Sequence, residues 1–187
     1  MPFIEVIDYE QSEGRLKEIY EELLESRGKL AEVHKIQSLN PESIVKHMEL
    51  YMHIMFGKSP LKRYQREMIA VWVSKKNDCL YCITHHAEAL QHFWKDKERL
   101  HRFKSDYRDA DLSETDVALC DYAVALTTEP AQIDRAYHEE RLRSLGITDR
   151  MILDASLVIA YFNFVNRLVL GLGVHLEHDQ GAGYKYD

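Results

Sequence analysis

"REMIAVWVSKKNDCLYCITHHAEAL", residues 66–90, reads as parts of two helices with a break between them. Leu61, Tyr64, Met68, Val71 and Trp72 recur at helical spacing, which predicts one amphipathic helix from about Leu61 to Lys75. The polar run "KKND" interrupts it, and a second helix is expected from Cys79 to about Trp94. Together they make a hairpin. Its second arm opens with two cysteines three positions apart and carries a histidine four positions after the second.

The helical period continues on both sides. A first helix is expected from about Ser12 to Ser26, with Leu16, Ile19, Tyr20, Leu23 and Leu24 on one stripe and Gly28 as its stop. "NPES" is a start signal, with Asn40 as N-cap and Pro41 at the first helical position. The helix it opens carries Ile44, Val45, Met48, Tyr51, Met52 and Met55, read as core, and ends at Gly57. "KDKERLHRFKSDYRDA" suits a short solvated helix and a loop. Ser113 caps the next helix, on which Cys120 falls between Val117 and Val124 as a small core residue. Further helices are expected from near Pro130 and from Thr148 to about Gly171. Residues 61–90 are loosely echoed by 147–172, a hint of a duplicated helical hairpin. The expectation is an all-α, multi-helix fold in one domain over residues 1–187, with a mobile "GAGYKYD" tail.

Composition narrows the function. Apolar residues make up 45% and charged residues 29% of the 187, a soluble globular balance. A net charge of −7 argues against a broad nucleic-acid interface, which needs a basic surface. Three cysteines, two of them in one CxxC, do not make a secreted disulfide framework. The N-terminus lacks the basic-then-apolar layout of a signal peptide. The apolar stretch Met151 to Gly173 contains Asp154, Asn163, Asn166 and Arg167, so it reads as a buried core helix rather than a membrane span. The expected location is the cytoplasm, with no membrane or nucleic-acid partner.

The chemistry concentrates on the hairpin. Cys79, Cys82 and His86 lie three and four apart, so one helix face presents all three. With Asn77 or Asp78 as cap, Cys79 falls in the first turn, where the helix dipole favours a thiolate; the charge of Asp78 opposes this. His86 is one turn from Cys82, in position to act as its base. Glu67 sits at the margin of the apolar face of the first arm, and the hairpin brings it toward His86, which it would orient. Three readings of the CxxC stand: a redox dithiol, a metal site, or two core cysteines. Zinc would draw on Cys79, Cys82, His85 and His86, but adjacent histidines diverge by roughly 100° on a helix. His34, His47, His53, His92, His101, His138, His175 and His178 are scattered and read as solvated or locally bonded.

The pattern of a glutamate, eleven residues, CxxC, and a histidine four positions later resembles the signature of the alkylhydroperoxidase D-like / carboxymuconolactone decarboxylase superfamily. Glu67, Cys79, Cys82 and His86 meet every spacing. "GRLKEIYEEL", "NPESIVKHMELYM" and "AYFNFVNRLVLGLGV" extend the resemblance to its peroxidase-related branch. The resemblance implies an all-helical fold, often of two related halves, assembled as a dimer, trimer or hexamer. It also implies thiol peroxidase chemistry with no haem, flavin or metal cofactor. Cys82 would attack the hydroperoxide and become a sulfenic acid, Cys79 would condense with it to a disulfide, and a thiol or lipoyl-type donor would reopen the bridge. His86 and Glu67 would form the proton relay. Helix-end physics favours Cys79 as the more acidic thiol, whereas the resemblance makes Cys82 peroxidatic. In the best-known peroxidase branch the residue before the second cysteine is a histidine; here it is Tyr81, a poor base that keeps a shorter relay or a positioning role. A non-peroxidase dithiol oxidoreductase or redox sensor on the same fold is the alternative, and a metal-binding or structural protein a third.

Overall fold

A computed structural model describes residues 2–179, and among these every regular element is helical. In chain order they are α1 (Gly14–Arg27), α2 (Glu32–Lys35), α3 (Pro41–Tyr51), α4 (Arg63–Lys76), α5 (Leu80–Trp94), α6 (Lys97–Ser105), α7 (Glu114–Thr128), α8 (Arg135–Ser144) and α9 (Asp149–Leu172). α1 and α9 end at Gly28 and Gly173, whose φ of 76° and 67° lie in the left-handed region that glycine enters without strain. Ser113 and Thr148 cap α7 and α9 through their hydroxyls. The "GAGYKYD" tail lies outside the described residues.

α4 is the axle of the molecule. The sequence shows one apolar face, yet Gln65 through Ser74 are all buried, because α5, α7 and α9 pack around it. Burial on every side forces the polar residues of α4 to find partners inside the protein. Arg66, for example, donates to the carbonyls of Ile54, Met55, Gly57 and Leu61. These carbonyls lie in and beyond the wider turn, Met52–Phe56, that prolongs α3, so the guanidinium ties that turn to the axle.

Three local expectations shift. α8 starts at Arg135 under an Asp134 cap, not near Pro130. The echoed segment 147–172 is no second hairpin: from Asp149 it forms one unbroken helix. Its apolar run makes α9 the one described helix long and apolar enough to cross a membrane, but Val158, Ile159, Phe162 and Asn166 along it are buried in the core. Finally, Cys79 is the N-cap of α5 rather than a first-turn residue. Asp78 takes a left-handed turn at φ 54°, which its short polar side chain tolerates, and the Cys79 N–H reaches back 2.9 Å to the Ser74 carbonyl.

Candidate active site

The hairpin of α4 and α5 brings Glu67 and His86 together. Glu67 is fully buried, and its Oε2 accepts a hydrogen bond from His86 Nδ1 at 2.6 Å. Its Oε1 accepts from Arg63 Nη2, one turn earlier on α4. The Arg63 guanidinium in turn lies 3.8 Å from the centre of the Phe56 ring. The carboxylate thus sits between a cation and an imidazole, which answers the cost of burying it. Because a carboxylate only accepts, Nδ1 carries the proton and a neutral His86 presents Nε2 as a lone pair. Phe162 holds the ring edge-on at 4.4 Å.

All three cysteines are free thiols. Cys82 lines a cavity of about 80 Å³ shared with His86, His34, Tyr51, Tyr161 and Phe162; Cys79 does not line it. Cys79 is held below the usual thiol range, chiefly by the hydrogen bond from the Cys82 side chain, with the Cys82 backbone N–H and Asn166 adding to it against the effect of burial. Cys82 is pushed well up, by its bond to Cys79 and by burial. Negative charge on the pair therefore settles on Cys79, while the sulfur on the cavity is that of Cys82. A polar floor supports them. Asn166 and Ser74 are both fully buried, Asn166 Nδ2 donates to Ser74 Oγ at 3.1 Å, and Asn77 Nδ2 donates to Asn166 Oδ1 at 3.0 Å. Cys120 is buried elsewhere in the core, where burial raises its thiol well above the ordinary value.

Tyr81 and His85 turn to a different carboxylate. The Tyr81 hydroxyl donates to Glu177 Oε1 at 2.7 Å and accepts from the Val33 N–H at 3.3 Å. His85 points Nδ1 at the Tyr81 carbonyl, 2.8 Å away, and Nε2 at Glu177 Oε2, 3.0 Å away. Burial alone would raise the Glu177 carboxyl; the His85 ring, the Glu32 N–H and the Tyr81 hydroxyl outweigh it and hold it at about 2.

Of the residues singled out by sequence, Tyr81, Cys82 and His86 line the cavity, and Glu67 and Cys79 connect to it through their hydrogen bonds to His86 and Cys82. His85 and His86 diverge as helical geometry requires, each to its own carboxylate. Of the histidines read as solvated or locally bonded, His34, His47 and His138 are buried. His34 and His47 line the cavity, and burial lowers them to about 3 and about 4. Arg63, Ser74, Asn166, Tyr161 and Glu177 escaped the sequence reading of the site altogether. The arginine at i−4 from Glu67 is the one signal that was available.

Residues 45–103 match the profile of the carboxymuconolactone decarboxylase family, a span that contains the whole hairpin. Among curated proteins, none matches the chain in sequence. Solved structures do. An uncharacterized peroxidase-related protein from Silicibacter sp. TM1040 is 28% identical, with a TM-score of 0.81 over 100% of this chain and 93% of its own. An uncharacterized peroxidase-related protein from Ralstonia eutropha JMP134, described as an alkylhydroperoxidase AhpD core, is 22% identical, with a TM-score of 0.85 over 98% of both chains. The debrominase Bmp8, solved with 2,3,4-tribromopyrrole, is 19% identical, with a TM-score of 0.75 over 90% of this chain and 88% of its own.

Proposed function

We propose that this chain, which belongs to the alkylhydroperoxidase D-like / carboxymuconolactone decarboxylase superfamily, is a thiol-dependent peroxidase that reduces organic hydroperoxides through the Cys79–Cys82 dithiol. One observation carries the reading. His86, fixed through Nδ1 by a fully buried Glu67, offers its other nitrogen to the cavity that Cys82 faces. A base held by an orienting carboxylate beside a nucleophile is what activation of a high-pKa thiol requires.

In this reading His86 takes the proton of Cys82, and the thiolate sulfur attacks the outer hydroperoxide oxygen. The O–O bond breaks, Cys82 becomes a sulfenic acid, and the proton on His86 passes to the departing alkoxide to give the alcohol. Cys79, already the more acidic thiol, then attacks the sulfenic sulfur; water leaves and a disulfide forms. Two electrons from a thiol or lipoyl-type donor restore the dithiol. The cavity wall of Tyr51, Ala89, Phe162 and Val165 suits a compact apolar substrate tail. Tyr81, with its proton engaged on Glu177, serves as a positioning residue. The working form is a homo-oligomer in the cytoplasm, and Leu153, Leu157 and Phe164 on the exposed side of α9 are available to a neighbouring subunit.

A dithiol oxidoreductase or sensor working by disulfide exchange is the second reading, favoured by the low thiol of Cys79. Its difficulty is access, since Cys79 is fully buried and a partner disulfide is bulky. Sulfenic-acid trapping after one equivalent of cumene hydroperoxide decides between them. Trapping is expected in Cys79→Ser and absent in Cys82→Ser. The reverse pattern exchanges the two roles, and trapping in neither removes the peroxidase reading.

A further inference from the structure

The cavity has a second polar wall that the mechanism above does not use. Gln37 Nε2 lies 2.8 Å from the Val33 carbonyl oxygen and 2.8 Å from His47 Nδ1. A backbone carbonyl only accepts, so it fixes the amide with its NH2 group on this side, and His47 Nδ1 must accept as well. Burial holds His47 down at about 4, so the ring is neutral at working pH and its single proton sits on Nε2. That Nε2–H donates to the Tyr161 hydroxyl oxygen at 2.6 Å. The chain of donors thus runs from Gln37 through His47 to Tyr161. The last proton, on the Tyr161 oxygen, has no acceptor among the described residues.

Tyr161 is 5% exposed, and an O–H so buried ordinarily has a partner. It lines the same cavity as Cys82 and His86, and negative charge, where it forms on Cys82, raises its phenol. Burial raises the phenol well above its ordinary range, which keeps the proton in place as a donor. The vacant hydrogen bond therefore points to an acceptor atom on whatever Cys82 attacks.

We propose that Tyr161 is a catalytic residue of the peroxidase reaction, its O–H, oriented by the Gln37–His47 pair, donating a hydrogen bond to the hydroperoxide oxygen that leaves as the alcohol. This rests on the thiol peroxidase reading. As the O–O bond breaks, charge gathers on that oxygen, and a donor already aimed at it stabilises the transition state without reorganising. No proton is transferred by Tyr161; the one that completes the alcohol comes from His86. The preferred substrate carries an oxygen acceptor on a small apolar body.

The test is single-turnover oxidation of Cys82 by cumene hydroperoxide in a Cys79→Ser background, with alkylation by iodoacetamide measured alongside. Tyr161→Phe keeps the ring and removes only the hydroxyl. It is expected to slow oxidation by about 10²-fold, the usual effect of losing such a donor. Alkylation, which needs no leaving oxygen, is expected at the parent rate. His47→Leu, which frees the phenol to turn, is expected to slow oxidation less than Tyr161→Phe, and the double variant no more than Tyr161→Phe alone. Oxidation at the parent rate in Tyr161→Phe overturns the inference and leaves the peroxidase reading intact, as does an equal fall in both reactions. A parent protein inert to hydroperoxide removes the peroxidase reading, and the inference with it.

Discussion

His85 and His86 are neighbours on one helix, each facing a carboxylate, and the two pairs are built for different work. Glu67 comes from the most buried helix and touches only Nδ1 of His86, leaving Nε2 to the cavity. Glu177 comes from the segment after α9, and His85 spends both of its nitrogens on fixed acceptors, that carboxylate and the Tyr81 carbonyl. A ring with two engaged nitrogens holds a structure together. A ring with one engaged and one open nitrogen can accept a proton and give it back. Residue type and local sequence hardly distinguish the two histidines; the partners do.

The sharpest way to break the comparison is to exchange each histidine for glutamine. His86→Gln removes the proposed base and is expected to slow single-turnover oxidation of Cys82 by roughly 10²–10⁴-fold. His85→Gln, which removes no base, is expected to fall short of that by more than an order of magnitude and to lower the melting temperature instead. Equal kinetic losses in the two would erase the distinction. Glu67→Gln adds a gradation: loss of the orienting charge costs on the order of 10–100-fold in rate. It also leaves Arg63 without its carboxylate in a largely buried site, for about 3 kcal/mol of stability by denaturant unfolding.

These two pairs were unequally legible. Helical periodicity gave the all-α fold, and the spacing of Glu67, Cys79, Cys82 and His86 located the first pair, because a hairpin brings residues about twenty apart into contact. Glu177 lies 96 residues from Tyr81 in a stretch with no period of its own, and Tyr161 lies 114 residues from His47. Contacts at such separation are set by how helices pack, which no local pattern encodes. The same packing buries His34 and His47, whose scatter along the sequence suggests solvated or locally bonded side chains. It buries α4 on all sides as well, where the sequence shows one apolar stripe. Cys79 shifted by one position for a smaller reason: Asp78 turns left-handed, and the helix starts one residue later.

The Glu177 pair can be probed by pH. Its carboxyl sits at about 2 in the folded chain against 4.5 as its ordinary value, so between those limits the unfolded chain binds more protons. Stability from this group is then complete above about 4.5 and is lost as pH falls toward about 2. Melting temperatures of the wild type and Glu177→Gln are expected to converge as pH drops through the window. Curves that stay parallel would mean that the segment after α9 is held by something other than this carboxylate.

The smallest effect separates anchoring from proton transfer at Tyr81. Tyr81→Phe deletes one hydrogen bond to a charged carboxylate, for about 1.5 kcal/mol, and leaves the Val33 N–H without its acceptor. If the hydroxyl only holds Glu177, Cys82 oxidation in this variant keeps the wild-type rate and pH profile while the melting temperature falls. Were the phenol part of the relay, its removal would cost rate on the scale of His86→Gln, with a changed pH profile. The geometry favours the first outcome: a hydroxyl has one proton, and that of Tyr81 lies on Glu177 at 2.7 Å, on the same carboxylate that binds His85.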